Sequence, residues 1–117
     1  MEFICYSKCS TCKKARDYLI KRGISFKERE IKEDTPSFDE IKSWVDKYSI
    51  DINKLFNTSG MVYRSMNLKD KISNMSDKEK LDLLSSNGML IKRPILILSN
   101  NILIGFKESV WDDVIVK

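Results

Sequence analysis

The start of the chain, MEFICYSKCSTCKKARDYLIKRG, constrains the fold most, because a short strand runs straight into a helical repeat and all three cysteines fall at the junction. Glu2 to Tyr6 reads as a strand. Cys12, Ala15 and Leu19 recur at helical spacing, and Gly23 stands where a glycine commonly closes a helix. Ile24 to Ile31 alternates in part, through Ile24 and Phe26, and reads as a second strand. Strand, helix and strand in so few residues make a βαβ unit, whose two strands must be parallel.

The middle of the chain reads as helical. Thr35 before Pro36, or Ser37 with Glu40 as a capping box, opens a helix that carries Phe38, Ile41, Trp44, Val45 and Tyr48 along one face, a core stripe. Asp51 caps a short helical piece through Phe56, and Ser76 with Glu79 opens another helix, with Leu81 and Leu84, that stops near Gly88. The segment RPILILSNNILIGF is two apolar β-branched runs joined at Ser99–Asn101, a hairpin signal, and a last helix carries Val110, Trp111 and Val114. The order βα, β, helices, ββα favours an α/β fold of thioredoxin-like (glutaredoxin-like) type. It has one four-stranded mixed sheet with a helical insertion at about residues 35–90. A chain of 117 residues is the usual size of one domain, so a single domain over 1–117 is expected. In this fold a cis-proline opens the strand that faces the reactive cysteine, and Pro94 suits that place; a trans-proline simply starting the strand is the plainer alternative.

Composition enters by what it excludes. The longest apolar runs, PILIL and ILIGF, are far shorter than the roughly 20 residues of a membrane helix, and MEFICYSK lacks the basic and apolar regions of a signal peptide. No membrane role and a cytoplasmic location are therefore expected. There thiols are kept reduced, so clustered cysteines point to chemistry or metal binding rather than to a structural staple. The net charge of +4 comes from lysines that alternate with acids in FKEREIKED and SDKEKLD, a solvated mixed surface and not a nucleic-acid footprint.

Cys5-x₃-Cys9-x₂-Cys12 has the spacing of a radical S-adenosylmethionine cluster motif, but the partial barrel those enzymes require is larger than this chain, and a cysteine inside a strand suits it poorly. Structural zinc needs four ligands, and the chain offers three cysteines and no histidine; no metal is expected. Cys-His and Ser-His pairs are excluded for the same reason. What remains is a thiol activated without imidazole. Cys9 at a helix start would meet unpaired N–H groups and the positive end of the dipole, with Lys8 and Lys13 adding charge. Cys9 is then the nucleophile, Cys12 one turn on the candidate resolving thiol, and Cys5 a small buried hydrophobe.

The stretches CYSKCSTCKKARDYLIKRGISF, LFNTSGMVYR, LLSSNGMLIKRPILI and IGFKE together resemble the arsenate reductase and Spx family, thioredoxin-like proteins with a helical insertion, over nearly the whole chain. The resemblance implies that Cys9 is the family nucleophile, that Arg64 and Arg93 are two of the arginines that hold the oxyanion, and that Pro94 is the cis-proline. Lys107 stands roughly where the glutaredoxin-coupled reductases carry a third arginine, and offers a point charge in place of a fork. Those reductases generally have serine at the position of Cys12 and resolve the thiol adduct with glutathione; a C-x-x-C is closer to the Spx-like members. Two functions follow as expectations. One is a thiol-dependent oxidoreductase with no bound cofactor, a small oxyanion or low-molecular thiol as substrate, glutathione or another thiol donor as co-substrate, and glutaredoxin as a candidate partner. The other is an Spx-like regulator that binds an RNA polymerase subunit and uses the C-x-x-C as a redox switch.

Overall fold

The structure is a computed structural model in which residues 1–115 are described. Its elements, in order, are β1 (Glu2–Cys5), α1 (Ser10–Lys21), β2 (Lys27–Glu30), α2 (Phe38–Tyr48), α3 (Met61–Ser65), α4 (Leu68–Lys71), α5 (Asp77–Ser86), β3 (Ile95–Ile97), β4 (Ile102–Ile104) and α6 (Glu108–Ile115), with short 3-10 turns at Ile52–Leu55, Ile72–Asn74 and Gly88–Leu90. They divide into two compact units, residues 1–30 with the stretch from Arg93 onward, and Ile31–Lys92.

The first unit holds the sheet, in the order β2-β1-β3-β4. β1 pairs parallel to β2 and antiparallel to β3, and β3 pairs antiparallel to β4. This is the thioredoxin-like mixed sheet that the element order implies. Phe3 and Cys5 on one face of β1, Leu96 of β3 and Leu103 of β4 pack with Cys12, Ala15, Tyr18 and Leu19 of α1 and Trp111 of α6. The α1 face follows from its spacing, and its end from a Schellman turn. Gly23 N–H donates to Ile20 O and Ile24 N–H to Leu19 O, with Gly23 at φ +66, a conformation in which a Cβ would be strained.

That turn also shortens β2, which begins at Lys27 and not at Ile24. The amide of Ile24 is committed to the helix end, and pairing starts where Lys27 comes opposite Glu2. β1 likewise ends at Cys5, because Tyr6 turns out of the ladder. Its N–H goes to Cys12 Sγ at 3.3 Å and its carbonyl to Cys9 N–H at 2.9 Å.

In the second unit, Ser37 and Ser76 cap α2 and α5 with complete capping boxes to Glu40 and Glu79. Ile41 and Trp44 of α2 are buried, while Phe38, Val45 and Tyr48 of the same stripe are half-buried. The end of the Ile52–Leu55 turn is tied to residues 90–92 by Asn57 N–H to Leu90 O at 2.8 Å and Lys92 N–H to Leu55 O at 2.7 Å. α3 and α4 leave little trace in the sequence. They are short, α3 starts at Gly60 with no side-chain cap, and Asn67 in the left-handed region separates them.

Candidate thiol site

The site is built where β1 hands over to α1. Cys9 is the N-cap residue, with extended backbone (φ −88, ψ 125), and its carbonyl accepts the Lys13 N–H at 3.1 Å. No side chain closes this helix end with a capping hydrogen bond. Instead, the N–H groups of Thr11 and Cys12, which a serine or aspartate cap would take, face the Cys9 sulfur. Cys9 is half-buried, Cys5 and Cys12 are buried, and all three are free thiols.

Burial pushes the Cys9 thiol up, but the Cys12 N–H, the Cys12 thiol, the Thr11 N–H and the charge of Arg93 together outweigh it, and its pKa lies below the ordinary thiol value. Cys12 goes the opposite way. Its contact with Cys5 and its burial raise its pKa strongly, and the neighbouring Cys9 adds to the rise. Cys5 is lowered, chiefly by the Cys12 thiol and, against burial and the Glu28 carboxylate, by Arg16, whose Nη2 donates to Cys5 Sγ at 3.3 Å. Arg16 is itself held by a two-point bond to Glu28 of β2, at 2.7 and 3.2 Å.

Arg93 precedes Pro94 across a cis peptide bond, and its guanidinium carbon lies 5.1 Å from the centre of the Tyr6 ring. Its Nε and Nη1 are buried and, among the described residues, have no hydrogen-bond partner. Pro94 is buried, and its carbonyl accepts the Gly105 N–H at 2.8 Å, which ties the start of β3 to the end of β4. Lys107 is exposed just ahead of α6, where its carbonyl accepts the amides of Val110 and Trp111.

Cys12 and Arg93 thus each act on Cys9, and Pro94 and Lys107 belong to the same unit. Arg64 is exposed on α3 of the second unit. The cation acting on Cys9 is Arg93, whereas Lys8 and Lys13, to which the sequence assigns that role, are both exposed. Arg16 has no place in the sequence reading. Its spacing of four from Cys12 puts the two on one helix face, but only the pairing of β1 with β2 brings Cys5 and Glu28 to it. Cys5 is buried in the apolar cluster as expected, and carries polar contacts as well. Among the described residues no group of three or more His, Cys, Asp or Glu side chains is arranged to hold a metal ion, and no helix is long and apolar enough to cross a membrane.

The chain belongs to the ArsC family, whose model matches residues 5–114. It is 44% identical over 113 residues to the uncharacterized protein YusI of Bacillus subtilis, covering 97% of this chain and 96% of that one. The crystal structure of a possible arsenate reductase from Streptococcus mutans superimposes with a TM-score of 0.87 at 38% identity, over 97% of this chain and 95% of that one. The global transcriptional regulator Spx of Streptococcus pyogenes is 28% identical over 101 residues, 86% of this chain and 74% of the regulator.

Proposed function

We propose that the chain is a cytoplasmic thiol-dependent oxidoreductase in which Cys9 attacks an oxyanion or a mixed disulfide. The observation that carries this reading is the pair of buried, unpartnered donors on Arg93, whose charge also acts on Cys9. Buried guanidinium donors left without acceptors are costly unless an anion supplies them, and a tetrahedral oxyanion has several oxygens that accept charge-assisted bonds from such donors. Attack by the Cys9 thiolate on an arsenic(V) oxyanion forms an S–As bond and expels water. A second thiol then attacks the Cys9 sulfur, forms an S–S bond and releases arsenic(III), and the two electrons come from the two thiols. Cys12, glutathione or another low-molecular thiol is the second nucleophile, so no bound cofactor is needed, and glutaredoxin is the candidate partner that restores the thiols. Arg64 and Lys107 are proposed as further anion-binding groups and Pro94 as the wall of the site, all three from the family resemblance.

A second reading is favoured by the likeness to Spx together with the direct contact between Cys9 and Cys12. Under it the pair is a redox switch on a regulator that binds an RNA polymerase subunit. One experiment separates the two. Arsenate reduction is assayed with glutathione and glutaredoxin, and with other thiol donors, beside a pull-down of purified polymerase subunits by the reduced and the oxidised protein. Turnover that is lost in Cys9→Ser supports the enzyme. No turnover with any donor, together with polymerase binding that depends on oxidation, overturns it.

A further inference from the structure

Three sulfurs meet behind the start of α1, and the proposed reaction uses two. Cys12 occupies the middle. Its Sγ accepts the N–H of Tyr6, the residue that follows Cys5, at 3.3 Å, and its thiol contacts those of both Cys5 and Cys9. Cys5 and Cys12 belong to one buried cluster, against which Cys9 packs. A buried structural cysteine has no need of a cation. Here the Arg16 guanidinium donates to Cys5 Sγ at 3.3 Å and is fixed in place by Glu28. The chain has no histidine and Lys8 and Lys13 are exposed, so helix amides and guanidinium groups are what the structure sets beside these sulfurs. Cys9 has both, from Thr11 and Cys12 and from Arg93, and Cys5 has a guanidinium.

We propose that Cys5 is a third redox thiol: once Cys9 and Cys12 are joined, the Cys5 sulfur attacks the Cys12 sulfur, forms a buried Cys5–Cys12 disulfide and expels the Cys9 thiolate. One S–S bond forms as another breaks, no net electrons move, and the negative charge passes from Cys5 to Cys9. The central sulfur is the one attacked, and the leaving sulfur is the one that the helix amides favour as an anion. The exchange frees the accessible nucleophile and moves the disulfide inward, away from bulky thiols. The reverse step, Cys9 attacking Cys12, returns the disulfide to the surface for a thiol donor. The inference rests on Cys9 being the thiol that is oxidised first.

The test uses the complete protein, oxidised with one equivalent of diamide near neutral pH and then alkylated with iodoacetamide while still folded. Trypsin cuts after Lys8 and Lys13, so Cys5 lies on one peptide and Cys9 with Cys12 on the next. The expected product is a cross-linked pair of these peptides with about one label per chain, on Cys9. Oxidised Cys5→Ala should take up no label, because its disulfide keeps Cys9 occupied. A disulfide confined to CSTCK in the wild-type protein, with the accessible thiol lost and Cys5 recovered free after denaturation, would overturn the proposal. The wild-type result decides even if Cys5→Ala folds poorly. Absence of reductase turnover alongside label on Cys9 would remove the enzymatic reading and leave the exchange standing. Turnover with no cross-linked peptide would do the reverse.

Discussion

Replacing Arg93 by Met should change stability and activity in opposite directions. Met keeps an unbranched apolar stem and removes the charge. Two buried donors without partners each cost roughly 1–3 kcal/mol when left unsatisfied, whereas the stacking over Tyr6 at 5.1 Å contributes about 0.5–1 kcal/mol. The difference favours the variant by about 1 kcal/mol or more, which in a domain of this size raises the melting temperature by roughly 3–5 °C. An anion that fills the empty donors reverses the balance. At ten times its Kd, sulfate stabilises the wild-type protein by about 1.4 kcal/mol and leaves the variant unmoved. The same lost bonds should lower kcat/KM for an oxyanion by roughly tenfold to more than a hundredfold, since one hydrogen bond to a charged group contributes about 1.5–3 kcal/mol. Arg93→Lys should restore only part of it, because an ammonium lacks the fork. Thermal melts with and without sulfate, read beside initial rates, supply every quantity. The reasoning is refuted if Arg93→Met melts lower than wild type and sulfate raises both melting points equally.

The Cys9 thiolate should be alkylated before Cys5 and Cys12, with a rate that rises through a midpoint below the ordinary thiol value, and the fast phase should vanish in Cys9→Ser. Since its folded-state pKa is lowered, Cys9 contributes stability that is present above the unfolded thiol value and fades as pH falls through the folded one, which melts at several pH values would show as a difference between wild type and Cys9→Ser. Gly88→Ala should destabilise by about 1–3 kcal/mol or more in denaturant titrations, because its Cβ would lie 2.2 Å from the Ile31 carbonyl oxygen, a backbone atom with little room to yield. Tyr18→Phe should cost about 1 kcal/mol by removing the hydroxyl that donates to Asp112, a carboxylate that Arg22 still holds at 3.2 Å.

Much of the fold was legible along the chain because its signals are local. The spacing of Cys12, Ala15 and Leu19, the turn at Gly23, the capping boxes at Ser37 and Ser76 and the paired apolar runs after Pro94 each depend on a few neighbouring residues, and the structure places elements at all of them. The position of Cys9 at the helix start was legible for the same reason. α3 and α4 were not, since neither has a capping side chain or a long enough period to mark it.

What the sequence determined by itself was the order of strands and helices and the place of a cysteine at a helix start, since periodicity and helix ends are properties of neighbours. Only the tertiary structure decided which charges reach which sulfurs. Lys8 and Lys13 are near in sequence yet exposed, while Arg93, 84 positions from Cys9, acts on it because β3 lies beside β1. Arg16 meets Cys5 because α1 packs over β1 while β2 brings Glu28 alongside to hold it. A charge stabilises a thiolate through distance and burial, and both are set by packing rather than by position along the chain.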